Sequence, residues 1–123
     1  MNPFYARIIG KLLGDGTSTK QENRQPRFQF MHRIADAGWA YYCYDKLKNF
    51  IPLQQPTYSK VTDARLQKGY SERCIVQSRT HPLITQLYEL WYPNGQKKIP
   101  FDFLASFLTA ETVAWWYQDD GHL

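Results

Sequence analysis

Ile8-Ile9-Gly10-Lys11-Leu12-Leu13-Gly14-Asp15-Gly16 decides how this chain is read, because Val113-Ala114-Trp115-Trp116-Tyr117-Gln118-Asp119-Asp120-Gly121 echoes it near the other terminus. Both are apolar runs that end in Asp-Gly. Singly, each has a plain structural reading, since glycine is the commonest helix stop and Asp-Gly a common turn pair. The pair asks for more. An aspartate at a helix C-terminus faces the negative end of the dipole, a loss of a few tenths to about 1 kcal/mol, which suggests a cation or a function nearby. Gly10 and Gly14 lie one turn apart and leave a smooth stripe on which another helix can approach closely. Two carboxylates delivered side by side by packed helices repel unless metal ions sit between them.

Working outward, Asn2-Pro3 is a helix start, with asparagine as cap and proline at the first helical position. That helix carries Phe4, Ile8, Ile9, Leu12 and Leu13 and stops at Gly14-Asp15-Gly16. Residues 17–25 are polar and turn-rich. Arg27-Phe28-Gln29-Phe30-Met31 alternates in the strand period, with Phe28 and Phe30 on one face and Arg27 and Gln29 on the other. A second helix starts near Asp36, groups Trp39, Cys43, Leu47 and Phe50, and ends at Pro52 and Pro56. Residues 57–65 and 70–79 read as a strand pair. In the second of these Cys74 and Val76 oppose Arg73, Gln77 and Arg79, and Ile75 breaks the pattern. His81-Pro82 opens a helix with Leu83, Leu87, Leu90 and Trp91, which Pro93-Asn94-Gly95 breaks. Thr109 caps the last helix, with Glu111 in its first turn.

The bulk numbers bound the class. A chain of 123 residues, 43% hydrophobic and 16% aromatic, suits one folded domain with its own core. A net charge of +4 and a pI near 9.1 permit a polyanionic partner without proving one. The apolar stretches fall far short of a membrane span, and the N-terminus lacks the pattern of a secretory signal. Cys43 and Cys74 have no metal-ligand spacing around them and read as buried free thiols. An intracellular, reducing setting is expected, a bacterial cytoplasm or an organelle matrix.

The first segment resembles the LAGLIDADG motif of homing endonucleases in its Leu-Leu-Gly-Asp-Gly form. The second, approached through Phe107-Leu108-Thr109-Ala110-Glu111-Thr112, resembles the second motif of the monomeric intron-encoded branch of that family. Tyr92-Pro93-Asn94-Gly95-Gln96-Lys97-Lys98-Ile99-Pro100 is similar to the branch's Lys-x-Ile-Pro segment, at the family's distance from Asp-Asp-Gly. The resemblance spans nearly the whole chain. Lys11 and Gln118 depart from it, each replacing an apolar residue.

What the resemblance implies is an α+β fold in the order helix, two strands, helix, two strands, helix, with a four-stranded antiparallel saddle for DNA. It implies an endonuclease N-terminal domain over residues 1–108 and a second motif helix over 109–123 that begins a C-terminal domain. By position, Asp15 and Asp120 become the catalytic, metal-binding acids, and Lys97 the catalytic lysine, with Lys98 as its neighbouring alternative. Gly14 and Asp119 stand beside them at the metal site, Asp119 being the weaker because the residue just before glycine carries the role. The implied cofactor is Mg²⁺, with Mn²⁺ as a substitute and Ca²⁺ as a non-cleaving one. Double-stranded DNA is the implied substrate, cut to leave short 3′ overhangs. Lys20, Arg24, Arg27, Gln29, Lys60, Arg65, Arg73, Gln77 and Arg79 are the implied DNA-binding set. Gly10, Gly14, Ala114 and Gln118 are expected where the two motif helices meet. Because the chain stops where a monomeric relative begins its second sheet, and Val113, Trp116 and Tyr117 present a face for a neighbour, a split enzyme is expected. Its partner would be a second polypeptide supplying the C-terminal half in a heterodimer. Two alternatives stay open: an RNA maturase or non-cleaving DNA-binding regulator of the same fold, and an interaction domain without nucleic acid.

Overall fold

A computed structural model describes residues 3–67 and 69–120, the last of these by its backbone alone. The expected Asn2 cap and Gly121 lie outside the described residues, as does the Asp120 side chain. Helix α1 (Pro3–Leu13) buries Phe4, Ile8, Ile9 and Leu12, the i, i+4, i+5, i+8 pattern of an inward helix face. Four strands follow in two pairs, β1 (Thr17–Thr19) with β2 (Arg27–Arg33) and β3 (Thr57–Thr62) with β4 (Tyr70–Gln77). They form one antiparallel sheet in the order β1-β2-β4-β3. Helix α2 (Ala37–Leu47) enters through a short 3-10 turn at Ile34–Asp36, and α3 (Pro82–Trp91) begins on a His81 side-chain cap with Pro82 at its first position. Two further helices, α4 (Phe101–Phe107) and α5 (Ala110–Asp120), complete the chain. This is the α+β fold expected, with an additional helix, α4, which packs Phe103 and Phe107 against Tyr5 of α1.

Strand alternation sets the two faces of the sheet. Phe28, Phe30 and His32 of β2 and Cys74 and Val76 of β4 point into the core, beside Ala40, Cys43 and Leu47 of α2 and Ile84, Leu87 and Trp91 of α3. The opposite face of β2 carries Arg27, Gln29, Met31 and Arg33. Cross-strand pairing aligns Gln29 with Gln77, Met31 with Ile75 and Arg33 with Arg73. Ile75 therefore shares the outer face with Arg73 and Gln77, which is why it interrupted the polar pattern. β1 arises within the segment expected to be turn. Thr17 and Thr19 pair with Gln29 and Arg27 at the sheet edge, and Ser18 turns inward.

α1 and α5 run against each other with little space between them. A Cβ placed on Gly10 would sit 2.7 Å from the Trp115 Cβ and 2.8 Å from the Thr112 carbonyl oxygen. One placed on Gly14 would sit 2.5 Å from the Asp119 Cβ. The two glycines thus receive Trp115 and Asp119, themselves one turn apart on α5. Ala114 and Gln118, expected at this junction, are exposed. The face of α5 that meets α1 is Thr112, Trp115 and Asp119, one residue round the helix from them. The reason is steric: α1 contributes the hollow and α5 fills it with large side chains. Gly10→Ala is expected to destabilise the fold by about 1–3 kcal/mol, the cost of overpacking a tight contact. Gly38→Ala is the control, since a Cβ there meets nothing within 4 Å. Urea unfolding that ranks the two substitutions equal would show that the helices are not this close.

Candidate active site and DNA interface

Asp15 stands just beyond the end of α1, where Gly14 and Gly16 turn the chain back onto the helix. The Gly14 amide donates to the Gly10 and Lys11 carbonyls, and the Gly16 amide to the Lys11 carbonyl at 2.7 Å. The Asp15 side chain remains 41% exposed, so its carboxylate is open to solvent. Its own backbone amide donates to Asp119 Oδ2 at 3.0 Å, which ties the end of one motif helix to the other. Lys97 arrives from the segment between α3 and α4 and donates to the Gly16 carbonyl at 2.8 Å. The neighbouring Lys98 is exposed, and its backbone amide is bound to the Trp91 carbonyl. Of the two lysines, Lys97 is the one placed at the Asp15 turn.

Behind Asp15 lies a buried polar cluster. The Asp119 side chain is fully buried, and its Oδ1 accepts from Lys11 Nζ and from Trp39 Nε1, each at 2.8 Å. Lys11 Nζ also lies 2.6 Å from His32 Nε2 and 4.2 Å above the Phe30 ring. His32 Nδ1 in turn lies 3.3 Å from Asp15 Oδ2. Burial, reinforced by the Lys11 charge and opposed by Asp119 and Asp36, lowers the His32 pKa from 6.5 to about 4. The imidazole is neutral at physiological pH. Burial also pushes the nearby Cys43 thiol up to about 12, so it is inert.

Asp15, His32 and Asp119 each offer a ligand atom, all within 4.8 Å of one another. Their environments differ. Both Asp119 oxygens are held inside the buried cluster, and Asp15, with His32 at one oxygen, presents a hard, partly exposed carboxylate of the kind that suits a divalent cation. A metal therefore fits at Asp15. Asp120 ends α5 beside this point, but its side chain lies outside the described residues. His32 and Trp39 are neighbours of this carboxylate cluster that residue-by-residue reading missed; the signal for His32 was its place after Phe28 and Phe30 in the inward alternation.

The outer sheet face collects part of the expected DNA-binding set. Arg27, Gln29, Arg73 and Gln77 lie on it together, Gln77 donating to Gln29 at 3.2 Å. Met31 and Arg33 join them without having been expected. Arg24 lies at one end and shares a shallow hollow with Arg27, Gln29 and Gln77. Lys20 and Arg79 are exposed just past the ends of β1 and β4. Lys60 departs from the set: its register partner is Glu72, so it lies on the other face, 4.2 Å above the Tyr70 ring. Arg65 is held in the β3–β4 turn by Asp63, through contacts of 3.0 and 3.1 Å.

The comparisons with known proteins agree with this layout. The chain is 30% identical over 124 residues to the DNA endonuclease I-ChuI of Chlamydomonas applanata, covering 94% of this chain and 56% of that protein. It is 29% identical to an uncharacterised protein of Methanocaldococcus jannaschii, over 94% of this chain and 42% of the other. The fold superposes with a TM-score of 0.80 on the homing endonuclease I-WcaI, solved bound to its DNA recognition sequence, at 19% identity over 98% of this chain and 51% of that one. The chain thus spans about half the length of the relatives it matches. The pattern of the LAGLIDADG DNA endonuclease family covers residues 6–123, so the chain belongs to that family.

Proposed function

We propose that this chain forms one DNA-reading half of a metal-dependent, site-specific double-strand endonuclease. The observation that carries the reading is Asp15: an open carboxylate at the junction of the two motif helices, with Lys97 on the adjoining turn. Asp15, together with Asp120 from α5, would hold the divalent cation, Mg²⁺ in the first place. When bound, the ion supplies Lewis-acid polarisation of the scissile phosphate and a more acidic bound water. The chain's own residues do the rest. Asp15 fixes where the cation sits, Lys97 sets a positive charge beside the developing phosphate charge, and the sheet fixes which phosphate arrives. Cutting on the two strands a few base pairs apart leaves the short 3′ overhangs of the reading.

Two half-sites need two sheets. Val113, Trp116 and Tyr117 on α5 are 50%, 42% and 52% exposed, and the exposed Tyr42 of α2, which packs against Trp115, adds to this surface. Surfaces of this kind mark interfaces, and we assign this one to the second LAGLIDADG half, as a separate polypeptide in a heterodimer. Two cysteines buried as thiols suit a reducing, intracellular compartment, where we place the protein.

The test is to assay DNA binding and cutting by the chain with and without a second half, against a library of cleavable sites. Salt-sensitive retention in Ca²⁺ and cutting in Mg²⁺ are expected. Retention that ignores salt would remove the DNA reading, and binding without cutting by the two-half assembly would leave a regulator. Within that assay, Arg27→Ala or Gln29→Ala is expected to relax preference at one or two base pairs by roughly 1–3 kcal/mol each. Phe28→Ala, on the buried face, instead costs about 3–5 kcal/mol of folding stability. A similar loss of stability for Arg27→Ala and Phe28→Ala would contradict the assignment of faces.

A further inference from the structure

We propose that Lys11 fixes the tautomer of His32 so that the imidazole supports the Asp15 carboxylate from behind, which makes Lys11 and His32 positioning residues for that acid. The inference rests on the reading of Asp15 as a metal ligand. Lys11 stands where the family's motif has an apolar residue, and its side chain is fully buried. An ammonium has three donors and no acceptor. One donor meets Asp119 Oδ1 at 2.8 Å and another meets His32 Nε2 at 2.6 Å. His32 Nε2 must therefore present its lone pair. The neutral ring then carries its single proton on Nδ1, the atom 3.3 Å from Asp15 Oδ2. Asp119 completes the arrangement by accepting the Asp15 backbone amide, so the main chain and the side chain of Asp15 are each held by a different buried group.

This assigns distinct roles to the three clustered groups. Ligation of a metal through His32 Nδ1 would need the proton on Nε2, which faces the Lys11 ammonium. Ligation through Asp119 would compete with Lys11, Trp39 and the Asp15 amide. The cluster is one ligand with two supports, and outer supports of this kind are worth about 10–100-fold in metal affinity.

The experiment is nitrogen-15 NMR of the imidazoles in the full chain at neutral pH, without metal or DNA. His32 protonated at Nδ1 with a bare Nε2 is the expected result, and protonation at Nε2 overturns the proposal. Mn²⁺ titration of the same chain provides the second readout. His32→Phe also removes a hydrogen-bond partner of the buried Lys11 and so costs some stability; in the chain that remains folded, Mn²⁺ binding is expected to weaken by about tenfold or more. His32→Asn, whose amide can place a donor near the Nδ1 position, is expected to bind near the native value. Equal weakening by both, or none by either, overturns the positioning role. A native chain with the Nδ1 proton that binds no Mn²⁺ would overturn the metal reading of Asp15, and with it the role of its supports, while establishing the tautomer.

Discussion

Asp15→Asn is expected to lower DNA cutting by the assembled enzyme on the order of 10³-fold, the scale on which loss of a single preorganised electrostatic group acts, with binding in Ca²⁺ nearly unchanged. The substitution keeps the shape of the side chain and removes the charge a cation needs. The Asp15 side chain is 41% exposed, so its charge contributes little to holding the fold, and the amide oxygen can still face His32. Its backbone amide continues to bind Asp119. Stability should therefore stay within about 0.5 kcal/mol of the native chain. Asp120→Asn is expected to lower cutting by a similar factor. Asp119→Asn should differ: it alters a fully buried acceptor of Lys11 and Trp39, and its first effect should be on stability. Cleavage assays paired with urea unfolding separate these outcomes. Normal cutting by Asp120→Asn, together with a stable but inactive Asp119→Asn, would move the catalytic acid one residue along α5.

The contrast between Asp15 and Asp119 also marks where sequence reading reaches and where it stops. The strand at Arg27-Phe28-Gln29-Phe30-Met31 was legible because a period of two needs only a few residues to declare itself, and the structure extends it to His32 and Arg33. The motif glycines announced a close helix contact, and both lie in one. They could not announce the rotation of α5, which is set by which large side chains fill the hollows. Trp115 and Asp119 were chosen over Ala114 and Gln118 by packing, not by pattern. α4 was illegible for a related reason. It is seven residues long, its Pro100 cap makes no side-chain hydrogen bond, and Phe103 and Phe107 pack on Tyr5, at the far end of the chain. Three-residue β1 likewise exists only because β2 offers it a partner. Lys11 was visible as a departure from an apolar motif position. Its compensation was not, since the carboxylate that pairs with it lies 108 residues further along.

That pairing supports the second large effect. Lys11→Met is expected to destabilise the chain by about 3–5 kcal/mol, because it leaves a buried carboxylate without its cation. Methionine has nearly the reach of lysine and would keep the contact with the Phe30 ring, so the loss is chiefly electrostatic. Asp119→Ala should cost a similar amount by stranding the ammonium, although His32 Nε2 would still accept from it. The double substitution is the informative one. With both charges gone no buried ion is left unpaired, and position 11 becomes apolar as in the family's motif, while His32 stays as a buried polar neighbour. Replacing a buried ion pair by apolar groups is often neutral or stabilising. The double variant should thus recover most of what either single variant loses, and Trp39, which is half-buried, can turn its indole N–H to water. Urea unfolding of the four proteins gives the coupling energy directly; single losses of this size that the double variant recovers imply a coupling above the ~0.5–3 kcal/mol usual for groups in one network. Strict additivity would mean that Lys11 and Asp119 do not act as a pair. Recovery of stability in the double variant without recovery of cutting would show that the pair serves the geometry of Asp15 beyond holding α1 to α5, since the helices would then be packed and the acid no longer held.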